Sequence, residues 1–305
     1  MALAASADSI RALEGYFLFH APLQDVAPVA QPTPLFRNFA LATNSWDELE
    51  RKRQNAESAV TVEVTDDGDA NTSASTTTAS QTSTKHVKIV YFVRHAEGFH
   101  NVAERELGTE RWEAVEAKQE RFLDADLTPF GIQDTESKGP PAVAVEQARG
   151  MPRVGRVVVS TLSRAIQTAQ HFFTPAQAPR PFVAIELSRE TLGVHTCDKR
   201  RPLPELKTKF PDVDFSKIHD EQDVLWTPTH RETDEELRVR ARAFLSQLFR
   251  EVRESHVAVV THSGFMTAVW SLFHSHRFKP ANCEVIPLAL EWSEAAPVDA
   301  VVAVE

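Results

Sequence analysis

The chain has almost no cysteine. Two in 305 residues, Cys197 and Cys283, are too few for a disulfide scaffold and lack metal-site spacing. They read as ordinary small residues with weak thiol donors. Positive charge is not in excess either: 33 Lys and Arg against 43 Asp and Glu leave a net charge of −10. That argues against general nucleic-acid binding, which needs a basic surface to displace counterions. It leaves room for a small basic pocket around a phosphorylated metabolite. No apolar run approaches membrane-spanning length. Residues 1–20 hold no basic segment leading into an apolar one, so no secretory signal is expected. HxxH, HExxH and DxDxDG patterns are missing, and no metal or other cofactor is expected. These absences predict a cytoplasmic protein with neither a membrane nor a nucleic-acid partner. The oligomeric state is left open.

An apolar fraction of 42% is ordinary for a globular protein with a sizeable core. Residues 63–85 are acidic, then almost wholly Ser, Thr, Ala, Asn and Gln. Such a stretch cannot bury enough apolar area to offset its ordering entropy, so it reads as a disordered low-complexity linker. Residues 1–62 read as an N-terminal extension packed on the main domain. It is predicted to hold a short strand at Gly15–Phe19 and a helix at Trp46–Asn55, capped by Ser45 with Glu50–Arg53 outside. Residues 86–292 read as the catalytic domain and 293–305 as a tail. Within the domain, apolar strands at 88–94, Arg156–Ser160, Phe182–Leu187 and His256–Thr261 alternate with helices at Leu162–Phe173, Thr233–Val252 and Phe265–Phe273. Thr233 and Glu236 form a capping-box pair. Cys283–Leu290 reads as a last, edge strand, because Pro287 lies inside it. Continuous apolar strands between helices imply an α/β fold with a mainly parallel sheet covered on both faces.

Three of these strands end in phosphate-holding residues: Arg94-His95, then Ser160 with Arg164 in the next helical turn, then Thr261-His262-Ser263-Gly264. In a parallel sheet the carboxyl ends share one edge, so two arginines and two histidines converge beside helix N-termini that favour anions. Arg94 and Arg164 can each grip phosphoryl oxygens bidentately, and His262 can add a hydrogen bond. His95 can attack phosphorus if its other nitrogen donates to a backbone carbonyl. With this many cationic groups no metal is required. Glu190 follows the third strand and stands at the same rim, placed either to protonate a leaving group or simply to face solvent.

RHAEGFHN, LTPFG (127–131), STLSRAIQTA (160–169) and VVTHSGF (259–265) resemble the motif series of the histidine phosphatase superfamily. They are closest to its first branch, the phosphoglycerate-mutase-like proteins. Glu190-x-x-Gly193 and Asp198–Pro202 resemble the plant and fungal members. The resemblance covers residues 86 to about 290 and implies a three-layer α/β/α sandwich and a covalent phosphohistidine mechanism. It makes His95 the nucleophile, Glu190 the proton donor, and Arg94, Arg164 and His262 the phosphate pocket. Asn101 becomes a phosphate or substrate contact. One departure is Ala96, where the superfamily usually has glycine; a methyl group fits if φ is negative.

The leading expectation is therefore a metal-independent phosphoric monoester hydrolase of the histidine acid phosphatase type. The segment after Glu190, TLGVHTCDKR, lacks the GLNER-like and YGxLxGLNK-like blocks of cofactor-dependent mutases. That places hydrolysis ahead of mutase-type phosphoryl return. A catalytically weak phospho-ligand binding module is a third reading. His100, His195, His219, His230 and His256 read as structural histidines, since the phosphate site is complete without them. Lys199–Arg201 read as a basic turn or a substrate mouth, and Arg189 as a support for Glu190 or a solvent-facing residue. Trp226 and Trp292 read as packing residues. Specificity is expected in loops 98–126 and 194–231, with a helix in 104–126 lying over the site.

Overall fold

The structure, a computed structural model, describes residues 9–18, 39, 41–57, 60–63, 80–83, 85–275 and 279–293. Its strands are β1 (Ser9–Ala12), β2 (Val60–Glu63), β3 (Ser80–Ser83), β4 (Lys85–Arg94), β5 (Arg156–Val159), β6 (Phe182–Ala184), β7 (Val213–Asp214), β8 (His256–Thr261) and β9 (Val285–Ser293). Its α-helices are α1 (Trp46–Ala56), α2 (Phe99–Leu107), α3 (Thr109–Ala114), α4 (Pro129–Ala148), α5 (Ser163–Phe172), α6 (Leu203–Lys209), α7 (Asp234–Glu251) and α8 (Ser263–Ser271). Seven strands form one sheet in the order β1-β9-β4-β8-β5-β6-β7. The run from β4 to β7 is parallel, and β9 pairs antiparallel with both β4 and β1.

Side chains of β4 alternate between two cores, as the strand period demands. Ile89, Tyr91 and Val93 face the side covered by α1, α4, α5 and α6. Val90 and Phe92 face the side covered by α7 and α8. The result is the expected α/β/α sandwich with a mainly parallel central sheet. No described helix is long and apolar enough to cross a membrane.

Several elements differ from the sequence expectation. The first strand is Ser9–Ala12; Tyr16 and Phe17 are buried in a turn, where Phe17 bridges Leu41. The third strand of the domain stops at Ala184, and Glu186–Ser188 turns tightly to send Arg189 inward. No element was expected between Leu127 and Arg156, yet α4 fills twenty residues there, its pattern interrupted by Pro140 and Pro141. β9 is an interior strand, not an edge. Arg94 N–H donates to Glu284 O (3.0 Å), so by antiparallel alternation the nitrogen of Pro287 faces away from β4. On that side β1 pairs only from Leu290 onward, and no ladder bond is asked of the proline. Of the expected linker, 64–79 and 84 lie outside the described residues, while β3 pairs with β2 as a separate antiparallel ribbon. Of the expected tail, 294–305 lie outside them.

Ser45 caps α1 by accepting the Glu48 N–H, and the Trp46 indole donates to Glu146 on α4 (2.9 Å). Arg53, expected outside, is buried instead, paired with Glu50 and Glu57 and donating to Val87 O. A polar relay ties this helix to the central sheet. The Tyr91 hydroxyl meets His256 Nδ1 (3.0 Å), and His256 Nε2 meets Glu50 (2.9 Å). Burial raises the Glu50 carboxyl, but hydrogen bonds from His256 and Arg53 outweigh it and hold the group at about 2. A folded value below the ordinary 4.5 gives stability that is present above that pH and lost as pH falls toward 2. Glu50→Gln should therefore cost about 1–3 kcal/mol at neutral pH and flatten the acid limb of a melting-temperature profile. An unchanged acid limb in the variant would remove Glu50 from this role.

Candidate active site

Sheet register builds the site before any side chain is considered. β4, β8 and β5 are parallel neighbours, with Arg94 opposite Thr261 and Val159 opposite Val260. The ladder runs one residue further, as His95 N–H donates to Thr261 O (2.8 Å). His95 and His262 therefore leave adjacent strands side by side, ring centroids 5.1 Å apart. α5 begins three residues past β5 and carries Arg164 in its first turn.

Arg94, His95, Asn101, Arg164 and Glu190 line one cavity of about 890 Å³. His262 is fully buried against His95. His95 Nδ1 donates to Ala96 O (2.7 Å), which leaves Nε2 with its lone pair free. Burial, reinforced by the charges of Arg164 and Arg94, pushes the His95 pKa well below 6.5, so the ring is neutral. Ala96 is not among the residues with positive φ, so its methyl group is accommodated. Burial and Arg164 likewise hold His262 neutral. Its Nε2 pairs with Ser160 Oγ (2.7 Å) and its Nδ1 has no partner. Arg94 donates to Pro280 O (2.8 Å), and the Nε atoms of Arg94 and Arg164 are buried without partners. Asn101 Oδ1 accepts the Gly98 N–H at the start of α2, so part of this amide is already committed to capping.

The Glu190 carboxylate is held at the α8 N-terminus. Gly264 N–H donates to Oε2 (3.1 Å) and Thr191 N–H to Oε1 (2.9 Å). Glycine at 264 lets the carboxylate come this close: a Cβ would stand 2.2 Å from Oε1 and push the Glu190 side chain away.

The structure adds groups that local sequence patterns did not reveal. Asp198 is buried and binds two arginines, accepting Arg164 Nη2 on Oδ1 and Arg231 Nη1 on Oδ2, both at 2.8 Å. Burial raises its pKa, but the charges of Arg231 and Arg164 outweigh that and hold it at about 2. Cys197 O accepts the other terminal nitrogen of Arg164 (2.5 Å). Asp124 accepts the backbone and hydroxyl of Ser163 and so fixes the start of α5 beside Arg164. These partners lie 33 to 39 positions from Arg164 or Ser163, beyond any helical or strand period.

Trp112 and Glu113 of α3 also line the cavity, as the expected cover over the site. His195 links this cover to the floor, its Nε2 at 2.9 Å from Glu113 and its Nδ1 at 3.9 Å from Asp198. His195, Cys197 and Asp198 are the three potential metal ligands gathered among the described residues. They make a poor donor set, since both Asp198 oxygens already accept from arginines and burial pushes the thiol well above its usual range.

Other sequence candidates fall outside the cavity. Arg200 is buried against Glu186 and the carbonyls of residues 220–222, while Arg201 faces Asp124 and Glu205. Lys199 lies over the Trp226 ring. Arg189 is buried on Asp223 and Asp198 O, not in solvent. His219 and His230 are exposed, and His256 belongs to the relay under α1.

Residues 90–295 match the family model described as the histidine phosphatase superfamily (branch 1). A phosphoglycerate mutase-like protein of Arabidopsis thaliana is 36% identical over 212 residues, covering 61% of this chain and 74% of that protein. A probable phosphoglycerate mutase of Arthroderma benhamiae is 30% identical over 223 residues, covering 69% and 66%. Among solved structures, a mycobacterial hydrolase superposes with a TM-score of 0.42 at 19% identity, covering 67% of this chain and 91% of that one. By the span of the family match, the chain belongs to branch 1 of the histidine phosphatase superfamily.

Proposed function

We propose that this protein is a phosphatase that hydrolyses a small phosphomonoester through a phosphohistidine at His95, without a metal ion. The observation that carries the reading is the state of His95. It is a neutral imidazole whose Nδ1 proton is spent on Ala96 O, and it lines one cavity with the buried Arg164 and the partly buried Arg94. Arg94 and Arg164 neutralise the non-bridging oxygens, as phosphoryl transfer requires. His262 supports the same group through its unpartnered Nδ1. That nitrogen carries the proton when the Ser160 hydroxyl donates to Nε2, and the serine oxygen still accepts the Leu162 N–H.

In the first step His95 Nε2 bonds to phosphorus as the ester oxygen departs with the bonding pair, and Glu190 gives that oxygen its proton. In the second, Glu190 takes a proton from water, the resulting oxygen bonds to phosphorus, and the N–P bond breaks to release phosphate. The roomy cavity admits water to the covalent intermediate, which favours hydrolysis. The names of the plant and fungal relatives favour a second reading, a mutase-type transfer in which the phosphoryl group returns to substrate.

His95→Ala should lower p-nitrophenyl phosphate turnover in EDTA by about 10⁴-fold or more, as with other lost nucleophiles. It should also abolish covalent ³²P labelling; a variant that still turns over or labels would displace His95. Glu190→Gln should slow alkyl phosphates at least about tenfold more than p-nitrophenyl phosphate, whose leaving group needs little protonation. Equal losses on both substrates would point to another acid. Because the His95 pKa lies well below 6.5, the nucleophile stays unprotonated as pH falls through that value. The acid limb of kcat/KM, corrected for substrate ionisation, should therefore lie below pH 6.5. A limb centred near 6.5 would contradict the buried, neutral imidazole.

A further inference from the structure

His100 does not behave as a structural histidine. A histidine kept for packing satisfies its ring nitrogens, as His256 does between Tyr91 and Glu50. His100 is 7% exposed and lines the catalytic cavity. Its Nδ1 is buried with no hydrogen-bond partner, and no described residue pairs with its Nε2. Burial and the charge of Arg164 push its pKa well below 6.5, so the ring is neutral and carries one N–H. In either tautomer that donor is unclaimed by the protein.

Its position matches the vacancy in the ring's bonding. The His100 centroid is 5.4 Å from that of His95, and His262 stands 5.1 Å from the same ring. The nucleophile is thus flanked by two neutral imidazoles, each with an unpartnered nitrogen. The backbone makes room for this ring, since a Cβ at Gly98 would meet His100 Nδ1 at 2.8 Å. Glu190, which would serve the ester and water oxygens, is held separately, by the Gly264 N–H at the α8 N-terminus. What is left for His100 is a lateral oxygen of the group in transfer.

We propose that His100 is a further catalytic residue, donating a hydrogen bond to a non-bridging oxygen of the phosphoryl group as it passes to and from His95. This rests on the phosphatase reading above. The contact strengthens when the oxygens spread toward the trigonal plane, which makes it selective for the transition state.

His100→Phe keeps an aromatic ring and removes the donor; His100→Gln keeps a donor. His100→Phe should lower kcat/KM for p-nitrophenyl phosphate by roughly tenfold to a hundredfold. It should weaken inhibition by vanadate, which adopts the trigonal-bipyramidal arrangement, more than inhibition by inorganic phosphate. It should melt at or above the wild-type temperature, because an unpaired buried nitrogen has been deleted. His100→Gln should regain part of both the rate and the vanadate preference. The proposal is overturned if His100→Phe leaves the rate and the vanadate-to-phosphate ratio unchanged. It is equally overturned if both variants lose the two inhibitors in equal proportion. Should His100→Phe fold poorly, the glutamine variant decides by the same inhibitor ratio. Failure of the phosphohistidine reading would show separately, as turnover in His95→Ala.

Discussion

The site depends on one constraint, the parallel register of β4, β8 and β5. Their carboxyl ends stop level, and each is followed by a chemically active residue at its first free position. Main-chain ladder bonds, rather than side-chain contacts, bring His95 beside His262 and set α5 to deliver Arg164. Such a frame resists small errors elsewhere, because its strands are buried on both faces and any slip would move whole rows of Val and Ile across the sheet.

Charge is then distributed so that the His95 ring stays neutral while Arg94, Arg164 and Arg231 line the same cavity. One carboxylate, Asp198, serves both Arg164 and Arg231, one oxygen to each. The guanidinium Nε of Arg164 is left buried without a partner. His95, His100 and His262 are kept unprotonated by burial and by the charge of Arg164, to which Arg94 adds at His95 and His100. A phosphate dianion entering the cavity meets positive charge that no imidazolium has to supply.

Much of this was legible in the sequence. Strands ending in Arg94-His95 and Thr261-His262 announce themselves by runs of β-branched residues cut off by polar ones, and Thr233 with Glu236 marks the start of α7 to the residue. What escaped notice was of two kinds. Proline is the first: Pro287 suggests an edge where only half of a strand is unpaired on one side, while α4, with Pro140 and Pro141 inside it, fills a stretch where no element is expected. Long-range pairing misled as well, since nothing near Asp198 or Arg231 in the chain shows that they meet at Arg164. Arg53 reads as an outside charge, and Arg200 as part of a basic turn or a substrate mouth, because a buried arginine is recognised by its partners, and those are set by tertiary structure.

The antiparallel insertion of β9 between β1 and β4 has a bearing on biosynthesis. A ribosome makes the nucleophile's strand early, yet both strands that flank it, β8 and β9, are encoded some 160 to 200 positions later. β4 can gain its parallel neighbour only once β8 has been made, and its antiparallel neighbour only once β9 has been made. Over that interval of synthesis the apolar β4 ribbon lacks both hydrogen-bonding neighbours, so His95 and His262 come side by side only after β8 has been made.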